Sequence, residues 1–163
     1  MAYSLRLFRS DDASRLNEIF YEAVRTIGPR GYSLEQVAAW AARSPAAEAR
    51  ILERAAQGQW IMVAADENDV AVAYALLEKD GHLDHLYCHP QHTRNGLADA
   101  LLKAAESKAR SWLCARMYSE ASELARAAFE RAGYKVTHRR DFTIEHDGQH
   151  VPIHNYAMEK ALD

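Results

Sequence analysis

"HLDHLYCHPQHTRNGLADALL", residues 82–102, carries four histidines and one cysteine within its first eleven positions. The backbone beneath them decides whether they form a metal site or the end of a strand. A helix over 82–92 would align His82, His85, His89 and His92 in one stripe able to hold zinc. Pro90 opposes a helix there and holds His89 extended. The turn Lys79-Asp80-Gly81 follows an apolar run, so 82–88 is expected to return as a strand paired with that run. On a strand His82, Asp84, Leu86 and Cys88 share one face, and Leu83, His85, Tyr87 and His89 share the other. His85 and His89 would then stand about 13 Å apart, too far to share an ion. No metal site is expected.

The second half of the stretch reads as a polar loop, Thr93-Arg94-Asn95-Gly96, followed by a helix. Leu97, Leu101, Ala104, Ala105, Lys108 and Trp112 recur at helical spacing. A helix N-terminus exposes unpaired N–H groups and the positive end of a dipole. A glycine at that point lets an anion approach the backbone, and Arg94 adds a charged donor. An ordinary helix start accounts for the same residues, so the pattern needs support from elsewhere in the chain.

Working outward, Tyr3 to Phe8 reads as a strand, followed by a helix capped by Ser10 and carrying Leu16, Ile19, Phe20, Ala23, Val24 and Ile27 on one face. Gly28-Pro29-Arg30-Gly31 ends it. Ser33 to Gln36 has the capping-box pattern and opens a second helix through Trp40. Ser44-Pro45 starts another short helix. Residues 60–66 and 71–78 are apolar strands. Strands are also expected over 113–119, about 134–145 and about 150–160. The last two join at Asp147-Gly148. The segment Ser122 to Tyr134, with Leu124, Ala125, Ala128, Phe129 and Ala132 on one face, reads as a helix ending at Gly133.

This order describes one mixed α/β domain spanning 1–163, with no repeat or linker. The 163 residues are 48% hydrophobic and 26% charged, with a formal net charge of −3. That balance leaves no electrostatic footprint for nucleic acid or an anionic membrane. The two cysteines, Cys88 and Cys114, make neither a disulfide framework nor a CxxC motif. No run is long and apolar enough to span a membrane, and the first residues lack a signal-peptide core. A reducing, cytoplasmic setting is expected.

The run Leu86-Tyr87-Cys88-His89-Pro90, followed by Thr93-Arg94-Asn95-Gly96-Leu97-Ala98, resembles the acetyl-CoA-binding core of the GNAT superfamily of N-acetyltransferases. The order of elements over the whole chain resembles that family too, as do Ser122 to Tyr134 and the last strand, Asn155 to Lys160. The resemblance implies a central, mostly antiparallel sheet of about seven strands flanked by helices. A splayed strand pair would hold acetyl-CoA. It further implies that Leu86, Tyr87 and Cys88 meet the acetyl-pantetheine arm. Thr93, Arg94, Asn95, Gly96, Leu97, Ala98 and Asp99 would form the pyrophosphate cradle. Ser122 matches a cofactor-binding asparagine of many members, and Thr93 replaces the usual Gln or Arg. Phe129 stands where many members carry the tyrosine that protonates the leaving thiolate, so that role is not carried over.

Acyl transfer to an amine needs a base, a stabilised oxyanion and a protonated leaving thiolate. Asp84 and His82, read as sharing the face of Cys88, are the candidate bases. Cys88 is expected to be a buried thiol, because a covalent route needs an aligned histidine, and His82 would lie about 20 Å along the strand. The acceptor, a small-molecule or peptide amine, is expected to meet the N-terminal helices near Tyr21, Tyr32 and Trp40 and the final strand near Tyr156. A homodimer stays open. The other function class compatible with these residues is a non-catalytic acyl-CoA-binding regulatory module, which Phe129 favours.

Overall fold

The computed structural model describes residues 2 to 163. Strand β1 (Ser4–Leu7) leads into helices α1 (Ala13–Ile27), α2 (Leu34–Ala41) and α3 (Ser44–Ala56). Strands β2 (Trp60–Ala65), β3 (Ala71–Leu77) and β4 (Leu83–Cys88) follow, then α4 (Leu97–Ser111). The chain closes with β5 (Arg116–Ala121), α5 (Arg126–Arg131), β6 (Lys135–His146) and β7 (Gln149–Ala161).

The seven strands form two antiparallel sheets, ordered β1-β2-β3-β4 and β5-β7-β6. All seven residues of β3 are buried, because helices cover both faces. Leu97, Leu101, Leu102 and Ala105 of α4 pack against one face with Val72, Ala75 and Leu77. Leu16 and Ile19 of α1 and Ile51 of α3 pack against the other with Val63, Tyr74 and Leu76. A third cluster ties Val24 and Val37 to Ile153 of β7.

The sheets meet where β4 begins. Tyr118 donates its N–H to the Gly81 carbonyl at 3.1 Å. His82 bridges Tyr118 in parallel sense, and the Ser119 hydroxyl donates to the Leu83 carbonyl at 2.7 Å. Beyond these contacts β4 and β5 diverge, so the rest of β4 faces no strand on that side.

Several expectations are corrected. Leu77 pairs with Leu83 but Leu76 pairs with His85, so Asp84 is the extra residue of a β-bulge. The bulge breaks the alternation. Leu83, Leu86 and Cys88 pack on the α4 side, whereas Asp84 turns to Arg50 of α3. Asp84 therefore does not share a face with Leu86 and Cys88. The helix expected over 122–134 contracts to Arg126–Arg131, since the Ser122 hydroxyl and carbonyl both accept from Ala125 and hold a turn there. β5 starts at Arg116 rather than 113, because Leu113 adopts φ 61 and closes α4 in a Schellman turn, with the Cys114 N–H on the Ala109 carbonyl. Ser10 begins a 3-10 turn instead of capping α1, and Asp12 accepts the Arg9 N–H there. The helix from Ser44 runs thirteen residues rather than a short stretch. Among the other expectations, the Ser33–Gln36 capping box is present in both directions. Asp147-Gly148 makes the hairpin turn, with φ 50 and 73.

Candidate active site

A cavity of about 210 Å³ fills the divergence between β4 and β5. Leu86, Tyr87 and Cys88 form its β4 wall, and Thr93, Ala98 and Leu101 bring the start of α4 to it. Ser122, Leu124, Ala125 and Ala128 close it on the α5 side. The remaining wall comes from Ala23, Val24, Ile27 and Gly28 at the end of α1 and from Trp40 of α2.

Beside Thr93 and Ala98 lies the loop that enters α4. Arg94 and Gly96 both hold left-handed backbone, at φ 63 and 75. Glycine suits the second of these, and the protein places nothing within 4 Å of where its Cβ would point, so the space beside that backbone is open. Among the described residues, no N–H from Thr93 to Asp99 donates to a protein acceptor. Seven consecutive unpaired donors thus stand at the positive end of a fifteen-residue helix, the chemistry that suits an anion. The loop is held from within: the Asn95 amide donates to the His92 and Thr93 carbonyls, and the Thr93 hydroxyl to Pro90. Thr93 and Asn95 thus spend side-chain donors on the loop, and Leu97 buries its side chain in the core. The Arg94 guanidinium has no protein partner among the described residues. Asp99 sits in the first turn of α4.

The two candidate bases sit elsewhere; neither lines the cavity. His82 Nδ1 is 2.6 Å from Glu78 and Nε2 is 2.8 Å from Glu120, and the ring stacks on Tyr118. Burial draws its pKa down, but the hydrogen bonds to Glu120 and Glu78 outweigh that and push it up to about 9. At neutral pH it is therefore a clamped imidazolium rather than a base. Asp84 forms a 2.8 Å ion pair with Arg50. Burial works against its charge, but His85 and Arg50 hold its carboxyl below the usual carboxylate range. Ligand atoms of Glu78, His82 and Asp84 lie within 4.8 Å of one another. Arg50 and Arg54, the latter 3.2 Å from Glu78, already balance those carboxylates.

His85 is buried on the α1 side with Nδ1 2.8 Å from the Tyr74 hydroxyl. Desolvation lowers its pKa to about 4, so it is neutral. Cys88 is half-buried, and desolvation raises its thiol to about 11. A thiol with that pKa is un-ionised at pH 7 and is a poor nucleophile.

Sequence reasoning missed a cluster beside the cavity. Glu123, between the lining residues Ser122 and Leu124, accepts from His154 Nε2 at 2.7 Å and from the Tyr156 hydroxyl at 2.8 Å. Its N–H donates to the Tyr32 hydroxyl, which donates in turn to the His154 carbonyl. Trp40 meets Tyr32 edge-on at 5.6 Å between ring centroids. Of the aromatic residues expected near the acceptor, Trp40 reaches the cavity wall, Tyr32 and Tyr156 join the cluster behind it, and Tyr21 pairs with Arg25 outside. Only the aromatic residues among these gave a signal in sequence, because Glu123 and His154 stand 31 positions apart.

The arrangement of strands and helices is shared with a known family. The acetyltransferase (GNAT) domain model matches residues 30–159, and the chain belongs to that family of N-acetyltransferases. It is 32% identical over 133 residues, 81% of each chain, to YafP of Escherichia coli K12, described as an uncharacterized N-acetyltransferase. Among solved structures, a GCN5-related N-acetyltransferase from Rhodopseudomonas palustris superposes with a TM-score of 0.84 at 28% identity, covering 99% of this chain and 97% of that one. The Salmonella typhimurium protein YncA, solved with acetyl-CoA, shares the fold at a TM-score of 0.68 and 21% identity, with 100% and 95% coverage.

Proposed function

We propose that this N-acetyltransferase, acting as one domain of 163 residues, moves an acetyl group from acetyl-CoA to a primary amine by direct attack in a ternary complex. The observation that carries this reading is the cavity between β4 and β5, walled by an unpaired strand edge and opening at seven unpartnered N–H groups. In it the free backbone groups of Leu86 to Cys88 take the acetyl-pantetheine arm. The Arg94 to Asp99 backbone takes the pyrophosphate, with the Arg94 side chain as a further donor. The Ser122 hydroxyl already accepts from Ala125, which leaves its proton and one lone pair for the arm. Backbone N–H groups on β4 polarise the thioester carbonyl and stabilise the oxyanion. The amine nitrogen bonds to the carbonyl carbon, the C–S bond breaks, and the amine proton ends on the thiolate. The un-ionised Cys88 thiol disfavours a covalent acyl-enzyme route.

Phe129 favours the second reading, an acyl-CoA-binding module without turnover. It is buried edge-on to Tyr134 and offers no proton to a thiolate. One experiment separates the two: thermal melts with acetyl-CoA, followed by an amine panel read by release of free CoA thiol. A melting shift with turnover supports the enzyme, and a shift without turnover across the panel supports the module. No shift at saturating acetyl-CoA overturns both.

A further inference from the structure

The α1–α2 half of the cavity points to the class of acceptor, an inference that rests on the acetyltransferase reading of the cleft. Beyond the β4 and α4 walls, the space is bounded by Ala23, Val24 and Ile27 on one helix, Trp40 on the next, and Leu124 and Ala128 opposite. None of the fifteen lining residues carries a formal charge at neutral pH. The two with a titratable group are Tyr87 and Cys88, and burial raises both. Charges do lie nearby, but each is engaged or off the wall. Glu123 is held by His154 and Tyr156, Asp84 by Arg50, Arg43 is exposed, and Arg94, unpartnered in the loop that enters α4, is not among the lining residues.

An ordinary alkylamine reaches such a site as an ammonium ion. It would lose its water without gaining a carboxylate, and no lining group is poised to take its proton. A carboxylate or phosphate on the acceptor would fare no better, since no lining cation receives it. A flat, apolar amine that is neutral in water meets neither obstacle. Its ring can lie against Trp40, and its lone pair needs no prior deprotonation. The geometry points to an aromatic amine as the acceptor, a primary NH2 borne directly on a ring. The ring stands between Trp40 and the α5-side wall, and the nitrogen faces the β4 edge where the thioester lies. The lone pair attacks the thioester carbonyl, the C–N bond forms as the C–S bond breaks, and the nitrogen's surplus proton passes to the departing sulfur. The products are the N-aryl acetamide and free CoA thiol.

The test uses the full chain, acetyl-CoA, and four acceptors supplied separately: aniline, benzylamine, phenylalanine and a lysine-containing peptide. Thiol release and the mass of the acetylated product are both recorded, and the acetyl-CoA melting shift is measured in parallel. Aniline is expected to exceed benzylamine by at least tenfold in kcat/KM at pH 7, with the ratio narrowing as pH rises and benzylamine loses its proton. Trp40→Ala is expected to raise the aniline KM at least tenfold while leaving the acetyl-CoA shift in place, and Trp40→Phe to restore most of it. The inference is overturned if any of the charged acceptors is used faster than aniline. It is also overturned if aniline stays unmodified while acetyl-CoA still binds, an outcome that leaves the cofactor cleft intact. Loss of the acetyl-CoA shift in the wild type would instead remove the reading of the cleft on which the inference rests.

Discussion

His82 and His85 lie three positions apart, yet their surroundings drive them to opposite charge states. Between Glu78 and Glu120, His82 has a pKa pushed up to about 9, whereas buried His85 falls to about 4. A raised folded-state pKa contributes stability that is fully present below the unfolded value of about 6.5 and disappears as pH climbs toward 9. A depressed one leaves the folded state unable to take the proton that the unfolded chain accepts, so stability falls as pH drops from about 6.5 toward 4. Stability measured by urea melts should therefore peak near pH 6.5. His82→Gln should flatten the alkaline limb, whose depth is at most roughly 3 kcal/mol before solvent screening reduces it. Unchanged alkaline slopes in the variant would show that the two glutamates do not hold His82 charged. Asp84 follows the same logic. Its carboxylate serves Arg50 and not the cavity, so Asp84→Asn should lower stability while leaving kcat within about threefold, far from the roughly hundredfold loss of a missing base.

At the level of elements, the proposed cradle rests on one backbone angle. Gly96 holds φ 75 with open space where a Cβ would stand, and Gly148 in the β6–β7 hairpin holds φ 73 with the same open space. Gly96→Val and Gly148→Val should thus suffer similar strain. Only the first should abolish the stabilisation by acetyl-CoA, about 2.7 kcal/mol at a hundredfold excess over Kd. Equal responses from both variants would move the cradle elsewhere. The contrast also explains what sequence can and cannot reveal here. Pro90, a glycine and a helical period are local signals, so the strand–loop–helix order of 82–102, with its open helix N-terminus, was legible. The bulge at Asp84 was not, because it exists only in the register between β3 and β4. For that reason Asp84 was placed on the wrong face. Helix α5 shortened for a related reason: Ser122 turns its own backbone, and helical spacing continues across the turn. Glu123 in that segment gave no signal of its own, because only the fold brings His154 and Tyr156 of β7 to it.

For the molecule as a whole, the angle between the two sheets is set at one short seam. Gly81 stands there at φ 98, and a Cβ would lie 2.3 Å from the carbonyl oxygen of Arg116. Its own carbonyl takes the Tyr118 N–H, and one turn of chain later the Ser119 hydroxyl closes on Leu83. Because β4 and β5 touch only here, the seam is the apex from which the cavity opens. Gly81→Ala must either separate the strands or distort the turn. An overpacking cost of about 1–3 kcal/mol adds to a left-handed backbone cost of about 1–2, so the loss by urea melt should be roughly 2–5 kcal/mol. Ser119→Ala loses a single hydrogen bond but leaves the buried Leu83 carbonyl without that partner, which should cost about 1–3 kcal/mol. If the apex sets the width of the cavity, Gly81→Ala should weaken acetyl-CoA binding more than Ser119→Ala does, even at temperatures where both variants are fully folded. The readout is calorimetric Kd for acetyl-CoA at 10 °C, with folding verified by circular dichroism. Wild-type affinity in a folded Gly81→Ala protein would mean that the helices, and not the seam, hold the two sheets at their working angle.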